Sequence, residues 1–238
     1  MRELLTHIVE DGRRAVIAHS TRADGDLSPS AVDPATLAER RTRAAGVGPW
    51  HAVHQVHGDR VIAVAGDPTS ETSIEGPRAK ADALVTDVSH QVVAVHSGDC
   101  VPVGFIHPAG AVAVAHAGWK GLEAGVLSTT VDALLDAHGS APIVAAVGPH
   151  VHAANYEFGE DDLARLADKL GGSVVARTAH GTPALDLTAA TTSELERLDV
   201  QVAVTSPDCT ATLVDDYWSY RARGEAGRIA LVAWLEST

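Results

Sequence analysis

Short apolar runs, each ended by glycine, proline or a polar residue, dominate the pattern along the chain. From residue 51 onward these runs are rich in valine and alanine, and their composition is typical of buried β-strands. In chain order they read HAVHQVHG, RVIAVAG, ADALVTD, QVVAVHSG, VPVGFIH and AVAVAHAG. Other apolar runs predict strands at 14–19, 143–149, 201–205 and 228–235.

Apolar residues at helical spacing predict helices between the strands. The clearest helix covers 121–138. Its apolar face consists of Leu122, Val126, Leu127, Val131, Leu134 and Leu135. A helix at 34–45 is indicated by Asp33 as N-cap and Pro34 at the first helical position. Two more helices are predicted near 160–170 and 188–198.

No internal repeat, linker or low-complexity tract divides the sequence. Polar stretches at 20–34 and 67–80 predict loops within one unit rather than boundaries between units. We therefore predict a single domain spanning 1–238, of mixed α and β structure.

Composition and charge exclude several classes of protein. Hydrophobic residues make up 45% of the chain, which is too many for a disordered protein, and the net charge of −13 disfavours binding to nucleic acid by broad electrostatics. The sequence shows neither a signal peptide nor an apolar stretch long enough to span a membrane. Two cysteines cannot form a disulfide framework and fit a reducing compartment. We therefore expect a soluble, cytoplasmic protein with no nucleic-acid or membrane partner.

Histidines at or near the predicted strand ends point to a candidate metal site. They are His54, His57, His96, His107 and His116. Together with Cys100, His57 and His116 make a donor set that suits zinc and leaves a fourth position for water or substrate. A buried, inert thiol is the alternative interpretation of Cys100, but the neighbouring Asp99 and Pro102 favour a partly exposed thiolate. Cys209 we interpret as structural.

Three further segments could contribute to a binding site. The glycine-rich turn at 116–121 could hold an anion beside Lys120, or could be a tight turn packed by Trp119. The polar stretch at 147–157 could supply loop groups or a structural turn. The stretch at 217–223 combines aromatic residues with two arginines, and either stacks a ligand or belongs to the core.

Eight segments in order resemble the YfiH-type family, the laccase-domain proteins described both as polyphenol oxidases and as zinc-dependent purine nucleoside phosphorylases. They are QVHGDRV (55–61), ADALVTD (81–87), GDCVPV (98–103), AHAGWKGL (115–122), VGPHVHAANYEFG (147–159), LDL (185–187), DCT (208–210) and YWSYRARGEAGRIALVAWL (217–235). Weaker similarity covers 20–28 and 38–44. The resemblance implies an α+β fold, a single domain of mixed β-sheets layered with helices.

The resemblance also implies a site and a reaction. The family's zinc ligands fall on His57, Cys100 and His116, the trio already selected on chemical grounds. Phosphorolysis of adenosine, inosine, guanosine or methylthioadenosine is the implied activity, with adenosine deamination as a second one; purine nucleosides and phosphate are then the partners. Arg22, Arg41 and Arg221 match family arginines and would contact substrate.

The sequence departs from the family pattern at several positions. Gly98 stands where alanine is usual, Lys120 where arginine is usual, and His152 where glycine is usual. Arg40 replaces an asparagine, and the segment between residues 28 and 33 is shortened. The metal trio is untouched, so these departures bear on substrate geometry, since lysine cannot reproduce a bidentate arginine contact.

Other functions remain open from the sequence. For phosphorolysis, Asp99 or His96 could supply the proton that the leaving base needs, and we count Asp99 with Cys100, His57 and His116 as catalytic candidates. Alternatively, Cys100 could be the nucleophile of a metal-free hydrolase or deamidase with a histidine base. A non-catalytic nucleotide-binding scaffold is a third possibility. Copper-dependent phenol oxidation ranks lowest, because multicopper oxidases need several metal centres. The oligomeric state has no sequence signal.

Overall fold

Two β-sheets form the centre of the protein in the computed structural model, which describes residues 1–65 and 78–237. The first has five strands in the order β1-β2-β13-β6-β3 and the second has six in the order β12-β9-β7-β8-β5-β4. The strands of the first sheet are β1 (Arg2–Ile8), β2 (Arg14–His19), β3 (Trp50–Ala52), β6 (Val92–Ser97) and β13 (Ile229–Glu236). Those of the second are β4 (Val61–Ala63), β5 (Ala83–Thr86), β7 (Val101–His107), β8 (Ala111–Ala117), β9 (Val144–Val147) and β12 (Gln201–Thr205). A separate hairpin pairs β10 (Val175–Arg177) with β11 (Pro183–Leu185).

Six α-helices accompany the sheets within the described residues. They are α1 (Pro34–Ala44), α2 (Trp119–Ala124), α3 (Val126–His138), α4 (Glu160–Leu170), α5 (Leu187–Arg197) and α6 (Tyr220–Arg223). Helices α2 to α5 pack on one face of the six-stranded sheet, and the five-stranded sheet packs on its other face. The predicted α+β fold with layered sheets and helices is therefore confirmed.

Alternation along the strands decides which side chains enter which layer. In β8, the alanines at 111, 113, 115 and 117 face the helices, whereas Val112 and Val114 face the other sheet. A period of two then puts His116 on the same face as these valines, at the end of the strand. A polar side chain thus emerges where the apolar layer between the sheets ends.

Most predicted elements agree with the structure. The differences are a divided helix, a strand over HAVHQVHG that is limited to β3, and four elements that were not predicted, namely β1, β10, β11 and α6. The helix expected over 121–138 is divided into α2 and α3, because Gly125 has a φ of 100° that ends one helix and starts the next. Strand β1 was not predicted; it pairs antiparallel with β2, and most of its side chains are exposed. Most of the loop predicted at 67–80 lies outside the described residues.

The structure contains the N-cap that the sequence predicts for α1, and its described helices can be checked for membrane-spanning length. Asp33 does cap α1, since its side chain accepts the backbone N–H of Thr36 at 3.0 Å, and Pro34 is the first helical residue. Within residues 1–65 and 78–237, no helix has the length and apolar character needed to cross a bilayer.

Candidate metal centre and cavity

The side chains of His57, Cys100 and His116 lie together although they are far apart in the sequence. One ligand atom from each falls within 4.8 Å of the others. Cys100 Sγ lies 3.8 Å from His57 Nε2, and the two imidazole rings meet edge to face with centroids 4.8 Å apart. In the part of the chain that the structure describes, no other group of three His, Cys, Asp or Glu side chains has such spacing. The structure thus brings the predicted trio together.

Strand pairing places two of these residues. In the antiparallel pair of β7 and β8, Val101 lies opposite Ala117. Cys100, directly before β7, therefore emerges beside His116 at the same edge of the sheet. His57 comes from the loop between β3 and β4 and has a φ of 61°, which non-glycine residues adopt rarely.

The loop that carries His57 is tied to β6 by Gln55. The side-chain oxygen of Gln55 accepts the backbone N–H of His96 at 2.8 Å, and its amide nitrogen donates to the carbonyl of the same residue at 2.8 Å. The amide group of Gln55 thus pairs with the backbone of β6 as a neighbouring strand would. These two hydrogen bonds fix the position of the loop.

Asp82, which is not among the site residues predicted from sequence, supports the site from behind. Its buried carboxylate accepts a hydrogen bond from His116 Nδ1 at 2.9 Å. It also accepts the backbone N–H groups of Val56, His57 and Gly58, at 3.1, 2.9 and 2.8 Å. The carboxylate holds a proton of His116 on Nδ1 and directs Nε2 into the site, where loss of the Nε2 proton would leave a lone pair for a metal. An aspartate between two alanines in an apolar run was the signal that could have revealed it.

Gly118 leaves room for the donor atoms. A Cβ at this position would lie 2.8 Å from His57 Cδ2 and 2.9 Å from Cys100 Sγ. Any side chain would therefore displace at least one donor, so the glycine is part of the site.

Electrostatics favour an ionised thiol at Cys100. Burial opposes this ionisation, but the positive charge of His116 and hydrogen bonds from His116 and His57 lower the pKa of Cys100 to about 6. For His116, burial opposes protonation, whereas the charges of Cys100 and Asp82 raise the pKa to about 9. The thiolate is the form that binds a metal or acts as a nucleophile.

A cavity of about 450 Å³ includes the trio in its wall. This volume lies in the range of small-molecule sites. The rest of the wall contains cationic, aromatic and imidazole groups. These include His54, Arg78, His96, Tyr156, Tyr220, Arg221 and Arg228, while Asp99 contributes a carboxylate. His107 is buried elsewhere, where its ring hydrogen-bonds to the Gly139 carbonyl.

Asp99 lines the cavity with both carboxylate oxygens engaged. One oxygen accepts the hydroxyls of Thr210 and Ser219, each at 2.7 Å, and the other accepts the backbone N–H of Arg221 at 2.6 Å. Asp99 therefore anchors the start of α6 to the strand that follows Cys100. His96 also lines the cavity, where burial and the charge of Arg41 lower its pKa to about 3, so its imidazole is neutral at pH 7.

The three predicted substrate arginines occupy different environments. Arg221 lines the cavity, with its guanidinium 4.5 Å above the ring of Tyr156. Arg41 is buried behind the wall and donates twice to the carbonyl of Leu27. Arg22 does not line the cavity; it pairs with Glu225 and donates to a backbone carbonyl in the 217–225 segment.

The other segments singled out in the sequence contribute unequally. Tyr156 and Tyr220 line the cavity, so the stretches at 147–157 and 217–223 each supply an aromatic side chain. Lys120 lies outside the cavity wall, with its ammonium 5.2 Å from the ring of Trp119. Cys209 is buried and accepts the backbone N–H of His152, consistent with a structural role.

The chain matches a known family over nearly its whole length. A family model described as multi-copper polyphenol oxidoreductase laccase matches residues 23–236. The chain belongs to this laccase family. The family resemblance inferred from the eight segments is confirmed.

Several relatives of this laccase-family chain carry names that do not mention a laccase. Purine nucleoside phosphorylase ORF3 of Streptomyces griseus is 39% identical over 212 residues, 86% of this chain and 83% of that protein. Purine nucleoside phosphorylase YfiH of Escherichia coli is 33% identical over 209 residues, 85% of this chain and 82% of that protein. The crystal structure of the hypothetical protein YfiH from Bacillus licheniformis superposes with a TM-score of 0.79 at 25% identity, covering 93% of each chain.

The structure locates the departures from the laccase-family pattern. Lys120, His152 and Arg40 all lie outside the cavity wall. Gly98 lines the cavity, and a Cβ there would lie 3.1 Å from Arg228 Nη1. Of these four positions, Gly98 is therefore the one at which a side chain would change the shape of the cavity.

Proposed function

We propose that this protein is a zinc-dependent purine nucleoside phosphorylase. The observation that carries the proposal is the cavity itself, in which the His57–Cys100–His116 donor group and a wall with three arginines occur together in an acidic protein. The relatives named purine nucleoside phosphorylase support the same activity.

The donor set fits zinc. Two imidazole nitrogens and a thiolate are common zinc ligands, and donors on one tetrahedral zinc lie about 3.5 Å apart, slightly closer than the trio observed here. Asp82 behind His116 matches the carboxylate that usually supports a zinc-bound histidine. When bound, zinc would act as a Lewis acid toward substrate or water.

Copper fits less well. A blue-copper centre also uses two histidines and a cysteine, but often adds a weak axial methionine. The chain has a single methionine, Met1, whose amino group pairs with Asp24. Multicopper oxidation needs several centres, whereas the described residues offer one donor group.

The proposed reaction transfers ribose from a purine to phosphate. A phosphate oxygen forms a bond to C1′ as the bond from C1′ to the purine nitrogen breaks. The electron pair of that bond leaves with the base, which takes up the proton that hydrogen phosphate loses. The products are the free purine and ribose 1-phosphate, or methylthioribose 1-phosphate when the substrate is methylthioadenosine. Adenosine, inosine, guanosine and methylthioadenosine are the proposed substrates, and adenosine deamination is the proposed second activity.

The residues of the cavity divide these tasks. Arginines in the wall would hold the phosphate dianion by charge-assisted hydrogen bonds. The rings of Tyr156 and Tyr220 offer faces for a purine. Asp99 is one of the two proton donors that the sequence suggests, His96 being the other. Since the oxygens of Asp99 accept three hydrogen bonds, we propose that it positions Arg221 instead.

The proposal is tested with purified protein of known zinc content, incubated with inosine and phosphate. We expect hypoxanthine and ribose 1-phosphate in equal amounts by chromatography, and neither product without phosphate. Adenosine incubated without phosphate would report deamination as formation of inosine. Zinc-loaded protein that forms no product from any of the four nucleosides would overturn the proposal.

Cysteine variants separate the proposal from its alternatives. Cys100→Ser should lose bound zinc and at least about 100-fold in activity, since even residues supporting a metal ligand are worth 10- to 100-fold. Cys209→Ser is the matched control, because Cys209 lies outside the cavity wall. A metal-free protein whose Cys100 is alkylated rapidly would favour the hydrolase or deamidase, and tight nucleoside binding without turnover would favour the scaffold.

A further inference from the structure

The charge of the cavity wall is opposite to that of the whole protein. The chain carries a net charge of −13, yet the wall contains Arg78, Arg221 and Arg228 against one carboxylate, Asp99. That carboxylate is already engaged by three donors. A cationic cavity in an acidic protein is suited to an anionic ligand.

The arginines of this region differ in which of their guanidinium nitrogens donate hydrogen bonds. Arg228 Nη1 donates to three backbone carbonyls, and Arg221 Nη1 donates to the carbonyl of Glu157. In contrast, Nε of Arg78 and Nη1 of Arg41 are buried and have no hydrogen-bond partner among the residues that the structure describes. Unpaired buried donors are costly, so these two atoms indicate a missing acceptor.

Arg41 is held in place with its charge unpaired. It is 2% exposed, its Nε and Nη2 both donate to the carbonyl of Leu27, and its guanidinium lies 5.1 Å from the ring centre of Trp50. Asp26 is near enough to favour its charge, but within residues 1–65 and 78–237 no carboxylate hydrogen-bonds to it. A buried charge without a bonded counter-ion is normally destabilising, so a role in binding accounts for it better than a role in stability.

Arg41 and Arg78 both lie near His96 of the cavity wall, since the charge of each acts on the imidazole of His96. His96 and Ser28 form the wall there, and the carbonyl of Leu27, which accepts from Arg41, also accepts from His96. Burial, and to a smaller extent the charge of Arg78, lowers the pKa of Arg41 to about 10, so the Arg41 guanidinium stays positive at neutral pH. Two neighbouring like charges repel unless an anion lies between or beside them.

We propose that Arg78 and Arg41 form the phosphate subsite of this cavity. Arg78 in the wall contacts the phosphate dianion, and Arg41 behind the wall adds its unpaired charge. The inference rests on the proposed function for its choice of inorganic phosphate as the ligand. It assigns phosphate to the end of the cavity bounded by Ser28 and His96, and leaves Arg221 and the tyrosines to the nucleoside.

The test measures binding of inorganic phosphate directly, by calorimetry on the full-length, zinc-loaded protein. Arg78→Ala should weaken binding by about 10- to 100-fold, the usual range for a lost charge-assisted hydrogen bond. Arg43→Ala is the matched control, because Arg43 is exposed on the same helix as Arg41 and should leave the affinity unchanged. Unchanged binding in Arg78→Ala, or a loss confined to Arg221→Ala, would overturn the assignment.

Two further measurements complete the test. Phosphate should raise the thermal midpoint of wild type and of Arg43→Ala, relative to chloride at equal ionic strength, and should raise that of Arg78→Ala much less at the same phosphate concentration. Adenosine monophosphate is the comparison ligand: if it alone binds in an Arg78-dependent way, the subsite serves a nucleotide and the assignment to inorganic phosphate fails.

The outcomes keep this inference separate from the proposed function. Arg78-dependent phosphate binding without formation of ribose 1-phosphate would support the subsite and overturn the phosphorylase. Phosphorolysis with an unchanged KM for phosphate in Arg78→Ala would support the phosphorylase and overturn the subsite.

Discussion

At the scale of single residues, Asp82 shows how one buried carboxylate connects two ligands of a site. It orients His116 through Nδ1 and holds the His57 loop through three backbone N–H groups. Asp82→Asn keeps the shape but replaces an acceptor oxygen with a donor. We expect zinc binding to weaken by about 10- to 100-fold, measured by competition with a chromophoric chelator.

The control for this change is Asp87→Asn. Asp87 is an exposed aspartate just after β5, whereas Asp82 lies just before it. Wild-type zinc affinity in Asp82→Asn would contradict the role given to this carboxylate.

Gly118 gives a second prediction, based on space rather than charge. Its φ of −70° suits any residue, but a new Cβ would press on His57 and Cys100 at less than 3 Å. Gly118→Ala should therefore displace a donor, with a strain of about 1–3 kcal/mol and a loss of bound zinc. Zinc content by mass spectrometry under native conditions measures the effect.

Gly159→Ala is the comparison for Gly118→Ala. Gly159 has a φ of −65° and no atom within 4 Å of the position of a Cβ. It should keep full zinc content. Equal zinc content in the two variants would show that the site can accommodate the added methyl group.

At the scale of elements, the break between α2 and α3 depends on one backbone conformation. Gly125 has a φ of 100°, and no atom lies within 4 Å of a Cβ built on it. Gly125→Ala therefore adds backbone strain without a clash, and we expect the free energy of unfolding to fall by about 1–2 kcal/mol in urea titrations. The change in Gly159→Ala should be much smaller. A stabilised Gly125→Ala variant would mean that the two helices join into one.

The same elements show which parts of the structure were predictable from sequence. Strands β2 and β13 and helices α1 and α4 carry strong periodicity or caps, and all were predicted. The apolar spacing of α2 and α3 continues across Gly125, so periodicity could not reveal the break. Strand β1 lies at a sheet edge with mostly exposed side chains and has no buried face to give a pattern.

The residues of the candidate site also differ in how well they could be predicted from sequence. Donor chemistry selected His57, Cys100 and His116, because few residue types bind zinc. Asp82 and Arg78 were not predicted as site residues, because their importance depends on which groups surround them after folding. The Asp82 carboxylate accepts four hydrogen bonds, and Nε of Arg78 has no partner among the described residues. Neither fact can be seen in the sequence.

At the scale of the whole molecule, the sheets assemble a site from distant segments. Antiparallel pairing of β7 and β8 places Cys100 beside His116. The loop that contains His57 is held against β6 by the hydrogen bonds of Gln55. A ligand that bridges these segments binds the folded state alone. Its binding free energy is therefore added to the stability of the whole fold.

Zinc should accordingly stabilise the entire protein. At free zinc one hundred times above its Kd, the linkage contributes about 2.7 kcal/mol. For a domain of this size each kcal/mol raises Tm by about 2–4 °C, so we expect a rise of about 5–10 °C over chelator-treated protein in a scanning calorimeter. Cys100→Ser should show no zinc-dependent rise, whereas Cys209→Ser should behave as wild type. An equal Tm with and without zinc would mean that the three donors do not bind the ion together, because an ion held by three segments of the fold must oppose their separation.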